Sequence, residues 1–394
     1  MAKGKLVVCV GTRPDFIKMA PVIFKLEEVG IDFRILHTGQ HYSPDLADIY
    51  KELKLREPDF HITGVEHCKT HATKTAKIMV EAERYFLEEK PCLVLVQGDT
   101  DHSLACGLAA RKLKISLGHV EAGLRSGDWR TPEEHNRRML DHISELLFTP
   151  TTRSIENLTR ESVPGLIIPT GNTVVDALKM VYPKLKPWIV NLPSLASDPD
   201  YILLTLHREE NVDDVNVLKD IIKGLEKIRH TLRTPIFYPA HPRTIDRLKK
   251  FDLLEEMTHQ VEILSPLPYM EFLSAIMGAN LVLTDSGGVQ EEACTLRVPA
   301  VILRESTDRA ESLVVGAAML GYGSEEMLEA AETMMKSSRE WPNPFDPFGD
   351  GNAAGRIVGA LPKFIWGTYS LKDELRFRWD LTRARRPLRR FPVT

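Results

Sequence analysis

Short apolar runs alternate with longer amphipathic stretches along most of the chain. Residues 5–10 form an apolar run of strand length, and residues 14–29 have the apolar spacing of a helix. Further strand-like runs occupy residues 33–37, 92–96, 116–120 and 146–148, with helical stretches between them. Strands separated by helices predict βαβ units and a parallel sheet.

The alternation stops over residues 181–199, which hold four prolines and no clear periodicity, and then restarts. New strand-like runs lie at 201–206, 235–238, 261–264, 281–284 and 300–303. We therefore predict an α/β protein with two Rossmann-like, doubly wound parallel-sheet domains that face each other across a cleft. The predicted division is an N-terminal domain at 1–180, a linker at 181–199, a nucleotide-binding domain at 200–360 and a C-terminal segment at 361–394.

The composition narrows the class of protein. The chain has 394 residues, 43% of them hydrophobic, and a formal net charge of −4, which gives no electrostatic case for binding nucleic acid. No apolar run reaches the roughly 18 residues that a membrane span needs, and the N-terminus lacks the apolar core of a signal peptide. Five cysteines without a CxxC pair predict reduced, buried thiols, Cys9, Cys92 and Cys106 among them, and a cytoplasmic location.

The C-terminal segment differs from the rest in charge. Residues 376–390 contain seven arginines. We interpret them as a solvated or partner-docking tail, and a polybasic surface for anionic lipid or nucleic acid is the alternative.

Polar residues cluster just after the predicted strands, where open α/β sheets bind their ligands. The first half offers Arg13, Lys18, Asp99, Glu121, Glu133 and Arg137. Carboxylates beside cations in a cleft suit general acid–base catalysis, because their surroundings can separate their pKa values. For any single carboxylate, a structural salt bridge or a helix cap is the alternative interpretation.

The second half carries a candidate phosphate site. Residues 286–288, Ser-Gly-Gly, follow an apolar strand and open a helical pattern, so free backbone N–H groups would face an anion there. Glu292 lies farther along the same helix, where a carboxylate can accept hydrogen bonds from ribose hydroxyls. His207 and His241 follow neighbouring strands. A capped helix with glycine for packing is the alternative.

Cofactor and metal motifs are weak. A complete dinucleotide fingerprint and a P-loop are both absent from the sequence, so we predict no bound NAD and no kinase chemistry. The DTD triplet at 99–101 has the spacing of a metal motif found in some glycosyltransferases, and His67 with His71 has helical metal-ligand spacing. Both patterns are short, and we predict no metal.

Nine motifs along the chain form a recognisable set. They are GTRPDFIK (11–18), HTGQHY (37–42), QGDT (97–100), HVEAGLRSGD (119–128), PEEHNRR (132–138), TGNTVVDAL (170–178), LHREEN (206–211), TDSGGVQEEA (284–293) and FGDGNAA (348–354). Together, and in this order, they resemble the non-hydrolysing UDP-N-acetylglucosamine 2-epimerases from about residue 5 to about residue 360.

The resemblance implies a fold and a reaction. The fold is the two-domain arrangement of GT-B-type glycosyltransferases, and the reaction interconverts UDP-N-acetylglucosamine and UDP-N-acetylmannosamine. A base takes the C2 proton as the C1–O bond breaks, which releases UDP and leaves a glycal; UDP adds back after a proton returns to the other face. This route needs a UDP-sugar but no NAD. A homodimer with a role in polysaccharide biosynthesis is also expected.

The resemblance also implies residue roles. Asp99, Glu121 and Glu133 would be the acid–base carboxylates, in an order that the sequence does not give, and His207 would assist departure of the diphosphate. The implied substrate-binding residues are Arg13, Lys18, Arg137, His241, Ser286, Gly287, Gly288 and Glu292.

Departures from the family pattern keep alternatives open. Asp15 stands where Glu is usual, and Asp101 and His102 replace small hydroxyl or amide residues close to the presumed sugar site. Gln40 and His41 match an allosteric UDP-sugar site of bacterial members, but the arginine expected downstream is not evident. The alternatives are an epimerase for a modified sugar of the 2,3-diacetamido-glucuronate type, a hydrolysing epimerase, a glycosyltransferase, and a non-catalytic nucleotide-sugar-binding protein.

Overall fold

The computed structural model describes residues 4–40, 44–186, 188, 200–337 and 347–362. The arginine-rich tail, His41 and most of the predicted linker lie outside these residues. All the candidate active-site residues lie within the described ranges.

The first half of the chain is built around a seven-stranded sheet. Its strands are β1 (Leu6–Val10), β2 (Phe33–His37), β3 (Phe60–His61), β4 (Leu93–Gln97), β5 (Ser116–Val120), β6 (Leu146–Thr149) and β7 (Leu166–Pro169). Their order is β3-β2-β1-β4-β5-β6-β7, and all neighbours are parallel. The helices are α1 (Arg13–Glu28), α2 (Pro44–Leu53), α3 (His71–Glu89), α4 (Asp101–Lys112), α5 (Pro132–Ile143), α6 (Thr152–Arg160) and α7 (Thr173–Val181). A short 3₁₀ turn, Tyr182–Lys184, follows α7.

The second half repeats the plan with six parallel strands. They are β8 (Ile202–Thr205), β9 (Ile236–Pro239), β10 (Glu262–Leu264), β11 (Leu281–Thr284), β12 (Ala300–Ile302) and β13 (Ala318–Leu320), in the order β10-β9-β8-β11-β12-β13. The helices are α8 (Glu209–Val212), α9 (Val215–Leu232), α10 (Pro242–Lys250), α11 (Leu254–Gln260), α12 (Tyr269–Gly278), α13 (Gly287–Thr295), α14 (Ala310–Val314), α15 (Ser324–Lys336) and α16 (Ala353–Ala360).

Apolar burial explains why the central strands form where they do. All five residues of β1 and all four of β8 and β11 are buried, because helices cover both faces of each sheet. Parallel strands in such a position are continuous apolar runs rather than alternating ones. The predicted α/β class with two doubly wound parallel sheets is confirmed.

The sequence pattern did not predict three edge strands, and the predicted burial of one cysteine was wrong. β3 has two residues, β13 has three, and the residues of β7 are half-buried or exposed, so none presents the long buried run that marks a central strand. Cys92, expected to be buried, is partly exposed at the start of β4. No helix among the described residues is long and apolar enough to cross a membrane.

Helices join the two halves into one structure. α13 of the second half packs on α7 of the first. The chain then returns: α16, which the sequence pattern grouped with the second domain, packs on α1 and α7. Asp176 of α7 accepts hydrogen bonds from the backbone N–H groups of Ala353 and Ala354 at 3.1 and 2.9 Å, which anchors the start of α16. The domain boundaries themselves stay predictions.

Candidate active site

Each sheet reverses its strand order once, and the candidate residues collect at these two points. In the first sheet the reversal lies between β1 and β4, and in the second between β8 and β11. Ligands of doubly wound sheets bind at such switch points, outside the carboxyl ends of the strands. Arg13 and Asp99 follow β1 and β4, while His207 and Ser286 follow β8 and β11.

Glu121 is the centre of the first half's contribution. It follows β5 in a left-handed conformation with φ of +70°, which costs free energy for a residue with a side chain and is therefore uncommon outside glycine. Its carboxylate is buried and receives the Lys18 ammonium at 2.8 and 2.9 Å. Gln97, the last residue of β4, donates a further hydrogen bond to it. Two strand ends and helix α1 therefore converge on one carboxylate.

The second half reaches the same carboxylate through Arg309. Its guanidinium donates to Glu121 at 2.6 Å and to Glu291 of α13 at 2.7 Å. Lys18 lies 3.1 Å from Glu291, and Asn172 donates to Glu291 at 2.8 Å. Two cations and two carboxylates thus form a closed, buried group across the junction of the two halves. Buried charges of this kind cost desolvation energy that only such mutual pairing recovers.

Asp99 and Arg137 form a second buried group across the junction. Arg137 of α5 donates to Asp99, to Glu134 at 2.8 Å and to Asp308 at 3.0 Å. Burial by itself raises the pKa of Asp99, but the charges of Arg137 and Arg309 outweigh it and hold that pKa below its ordinary value. Asp99 is therefore a carboxylate at neutral pH.

Glu133 has the opposite electrostatic environment. Burial raises the pKa of Glu133, and the negative charge of Asp99 raises it further; Arg208 and Arg137 offset these effects only in part. When the pKa values of two neighbouring carboxyl groups are shifted in opposite directions, the group with the higher pKa is suited to donate a proton and the group with the lower pKa is suited to accept one. The structure thus separates two side chains that the sequence left equivalent.

His207 presents the exposed imidazole of the second half. Its ring nitrogen Nδ1 lies 3.2 Å from a carboxylate oxygen of Asp285, while 43% of the side chain is exposed. The backbone N–H groups of His207 and Arg208 donate to the other Asp285 oxygen at 3.0 and 2.9 Å. Burial opposes ionisation, but His207 and these donors lower the pKa of Asp285 to about 2. A fixed carboxylate orients the imidazole, whose other face is open to a ligand.

The predicted phosphate site lies at the start of α13. Ser286 precedes the helix, Gly287 is buried against Arg309, and a Cβ on Gly288 would meet no atom within 4 Å. Open space beside the N-terminus of a helix suits the close approach of an anion. Glu292 lies on the same helix and is buried; the hydroxyl of Tyr269 donates to it at 3.1 Å.

The remaining candidates have local contacts. Arg13 donates to the carbonyl of Leu267 at 3.3 Å, so it reaches into the second half. His241 precedes α10, and its Nδ1 accepts a hydrogen bond from the backbone N–H of Arg243 at 3.2 Å, which caps the start of that helix. Asp101 contacts His71 at 2.7 Å. Among the described residues, no three His, Cys, Asp or Glu side chains are grouped to hold a metal ion.

Sequence reasoning missed four residues of this site: Glu291, Asp285, Asp308 and Arg309. Asp285 and Glu291 lie in the quoted motif at 284–293, so the family resemblance could have singled them out, whereas Asp308 and Arg309 lie outside the nine motifs, in the segment RESTDRAE at 304–311. Hydrophobic periodicity could not, because Asp285, Asp308 and Arg309 lie in loops.

Comparisons with known proteins agree on one family. A sequence model described as UDP-N-acetylglucosamine 2-epimerase matches residues 25–362. The UDP-N-acetylglucosamine 2-epimerase of Methanocaldococcus jannaschii is 44% identical over 91% of this chain and 98% of that protein. The crystal structure of the M. jannaschii UDP-GlcNAc 2-epimerase with UDP-GlcNAc and UDP has a TM-score of 0.82, with 42% identity over 91% of this chain and 99% of that one. The UDP-2,3-diacetamido-2,3-dideoxy-D-glucuronate 2-epimerase of Pseudomonas aeruginosa is 36% identical, over 91% and 99%.

The buried carboxyl of Glu292 should make the free energy of unfolding depend on pH. Burial raises the pKa of Glu292 from 4.5 to about 7. The folded protein therefore keeps a proton that the unfolded chain has lost, so this group lowers the free energy of unfolding progressively between pH 4.5 and 7. Glu292→Gln removes that slope. We expect the stability difference, variant minus wild type, to rise by on the order of 3 kcal/mol from pH 4.5 to 8 in urea unfolding.

Glu161→Gln is the control for this measurement. Ion pairs with Arg125 and Arg138 lower the pKa of Glu161 although burial opposes them. Its contribution to stability is present above the unfolded-state pKa and is lost at lower pH, so this variant should show no rise over the same range. A flat difference for Glu292→Gln would contradict the buried, protonated carboxyl.

Proposed function

Because the chain belongs to the UDP-N-acetylglucosamine 2-epimerase family, we propose that it interconverts UDP-N-acetylglucosamine and UDP-N-acetylmannosamine. The enzyme is an isomerase that eliminates UDP and adds it back. The observation that supports this best is the buried pairing of Glu121 with Arg309 across the junction of the halves, together with the neighbouring carboxyl groups of Asp99 and Glu133. The pKa of Asp99 is lowered and that of Glu133 is raised, which suits acid–base chemistry.

The carboxyl groups divide the proton chemistry. The C2 proton is not acidic, so a carboxylate must remove it while the C1–O bond breaks. Asp99 and Glu121 are carboxylates held by cations and supply the base. Glu133, whose pKa is raised by burial and by Asp99, is the better proton donor of the set and supplies the acid on the opposite face. No hydride leaves the substrate, so the route needs no redox cofactor.

The second half stabilises the leaving group. The diphosphate approaches the α13 N-terminus at Gly288, where backbone N–H groups face it. His207, oriented by Asp285, donates to the diphosphate as negative charge develops on it. Arg13 adds positive charge from the first half, while Lys18 is paired with Glu121 and Glu291. The reaction thus requires groups from both halves, and their contact excludes water that would otherwise capture the glycal.

The alternative that the substrate is a modified sugar is not supported by the structure. That alternative depended on Asp101 and His102 facing the sugar. Instead Asp101 is buried and contacts His71 and Asn136, while the fully buried ring of His102 contacts Asp15. Neither side chain is left to read a sugar substituent.

Assembly and cellular context complete the proposal. We infer that the enzyme is a homodimer in the cytoplasm, takes part in polysaccharide biosynthesis and does not bind nucleic acid. The formal net charge of −4 supports the last point.

Proton NMR in deuterated water with UDP-N-acetylglucosamine tests the reaction. A second anomeric signal, with deuterium entering C2 and UDP still attached, is the expected result. Free N-acetylmannosamine with released UDP would show a hydrolysing enzyme, and an unchanged spectrum would overturn the proposed substrate.

Glu121→Gln should abolish proton transfer while leaving the nucleotide site intact. Gln keeps a carbonyl oxygen for Lys18 and Arg309 but loses the base, so we expect kcat to fall by roughly 10²–10⁴-fold. The dissociation constant of UDP, measured by calorimetry, should change by less than about threefold. Glu145→Gln is the control, since Glu145 also pairs with an arginine, Arg111, at 3.0 Å, but outside the site. A large loss of UDP affinity in Glu121→Gln would sink the assigned role.

Gly288→Val should have the opposite effect. Its side chain occupies the open space at the start of α13 and blocks the phosphate, so we expect the UDP dissociation constant to rise about tenfold or more with little change in Tm. Gly359→Val is the control: Gly359 is also helical, and its added Cβ would also meet no atom within 4 Å. Tight UDP binding by Gly288→Val would count against this phosphate site.

A further inference from the structure

Asp15 gathers four donors on one carboxylate oxygen. Oδ2 accepts from the backbone N–H groups of Gly11 and Thr12 at 3.1 and 2.7 Å and from the Thr12 hydroxyl at 2.7 Å. The fourth donor is Nε2 of His102, at 2.6 Å, from the first turn of α4. Both side chains are buried, with exposed fractions of 3% and 0%. The loop that opens α1 is thereby tied to α4.

The contact between Asp15 and His102 is an ion pair. Burial alone lowers the pKa of His102, but the Asp15 carboxylate outweighs it and raises that pKa to about 9. The same interaction lowers the pKa of Asp15 against the effect of burial. At neutral pH a charged imidazolium therefore faces a charged carboxylate, and the short distance fits a charge-assisted hydrogen bond.

The imidazole ring also fills the space above Gly11. A Cβ on Gly11 would lie 2.5 Å from Cδ2 of His102 and 2.2 Å from Oγ1 of Thr38. A longer acid at position 15 would compete with the ring for this space, whereas the short Asp15 leaves a gap that only a donor reaching from α4 closes. Each side chain therefore suits the other, and both positions are departures from the family pattern.

We propose that Asp15 and His102 act as one unit that positions the β1–α1 loop for the diphosphate of the substrate. They are positioning residues: Arg13, at the start of the same helix as Asp15, is the residue proposed to contact the diphosphate. His102 extends the effect, because its backbone N–H donates to Gln40 at 2.8 Å and so includes the loop after β2. This inference depends on the proposed function for the identity of the ligand.

The pair predicts a pH dependence of its own. The titratable groups that face it are His37 of β2, Cys106 of α4 and Cys9 of β1 behind that thiol. Because the folded-state pKa of His102 lies above the unfolded-state value of 6.5, its stabilising effect is complete below pH 6.5 and is lost as the pH rises to about 9. UDP affinity should weaken over the same range.

An exchange of both residues tests the unit. The full chain is prepared as Asp15→Glu, as His102→Ser and as the double variant, and UDP affinity, KM, kcat and Tm are measured for each. Each single variant should raise KM and the UDP dissociation constant about tenfold with kcat within about threefold. The double variant should recover both within about threefold and lose the weakening between pH 6.5 and 9. His71→Gln is the control, because His71 pairs with the neighbouring Asp101 at 2.7 Å but is largely exposed and should change nothing.

Four outcomes separate the explanations. Lower Tm with unchanged UDP affinity in the single variants would overturn the proposal, as would losses in the double variant that multiply those of the single ones. If His102→Ser does not fold, His102→Gln replaces it. The uncharged amide donor of Gln should preserve UDP affinity but abolish its pH dependence. A pH profile of UDP affinity that is the same as in the wild type would overturn the proposal. A wild-type protein that binds UDP without epimerising the sugar refutes the proposed function, while UDP affinity still decides on the pair.

Discussion

The structure depends on the burial of the Glu121 carboxylate, in a left-handed backbone conformation, which costs free energy. An ion of this size loses several kcal/mol of hydration when it is buried, and the first half returns only part of that through Lys18 and Gln97. Arg309 of the second half completes the coordination, and Glu291 in turn balances Arg309 and Lys18. The charges are therefore satisfied together only when the two halves are in contact. Assembly of the active site and association of the halves are the same event.

A mechanism by elimination explains why such an arrangement is useful. Breaking the C1–O bond creates negative charge on the diphosphate and leaves a glycal that must stay bound until UDP returns. An open cleft admits the substrate, but the chemistry needs a dry site with fixed dipoles. In the proposed mechanism the acid–base carboxyl groups belong to the first half, and the N-terminus of α13 and His207 to the second, so neither half would carry out the reaction alone. Separate halves would leave Glu121, Lys18 and Arg309 to water instead.

Local patterns in the sequence predicted the fold well and the site only in part. The buried runs of β1, β8 and β11 and the polar residues after them are local signals, and they place Arg13, Asp99 and His207 at the sheet edges. The choice between Glu291 and Glu292 is not local: about 100° of helix rotation separates them, so one faces Lys18 and Arg309 and the other Tyr269. Likewise, burial and the charge of Asp99 raise the pKa of Glu133, while direct contact with Arg137 lowers the pKa of Asp99, and no sequence spacing reveals that difference.

Helix α1 connects these separate observations. Asp15 and Lys18 are three residues apart and so lie on neighbouring positions of one helix face. The first contacts His102 at the start of α4, and the second contacts Glu121 after β5 and Glu291 on α13. A shift of the helix start relative to α4 therefore moves Lys18 relative to both carboxylates. The proposed Asp15–His102 unit would thus hold the start of α1, and with it Arg13, in the position from which the diphosphate is bound.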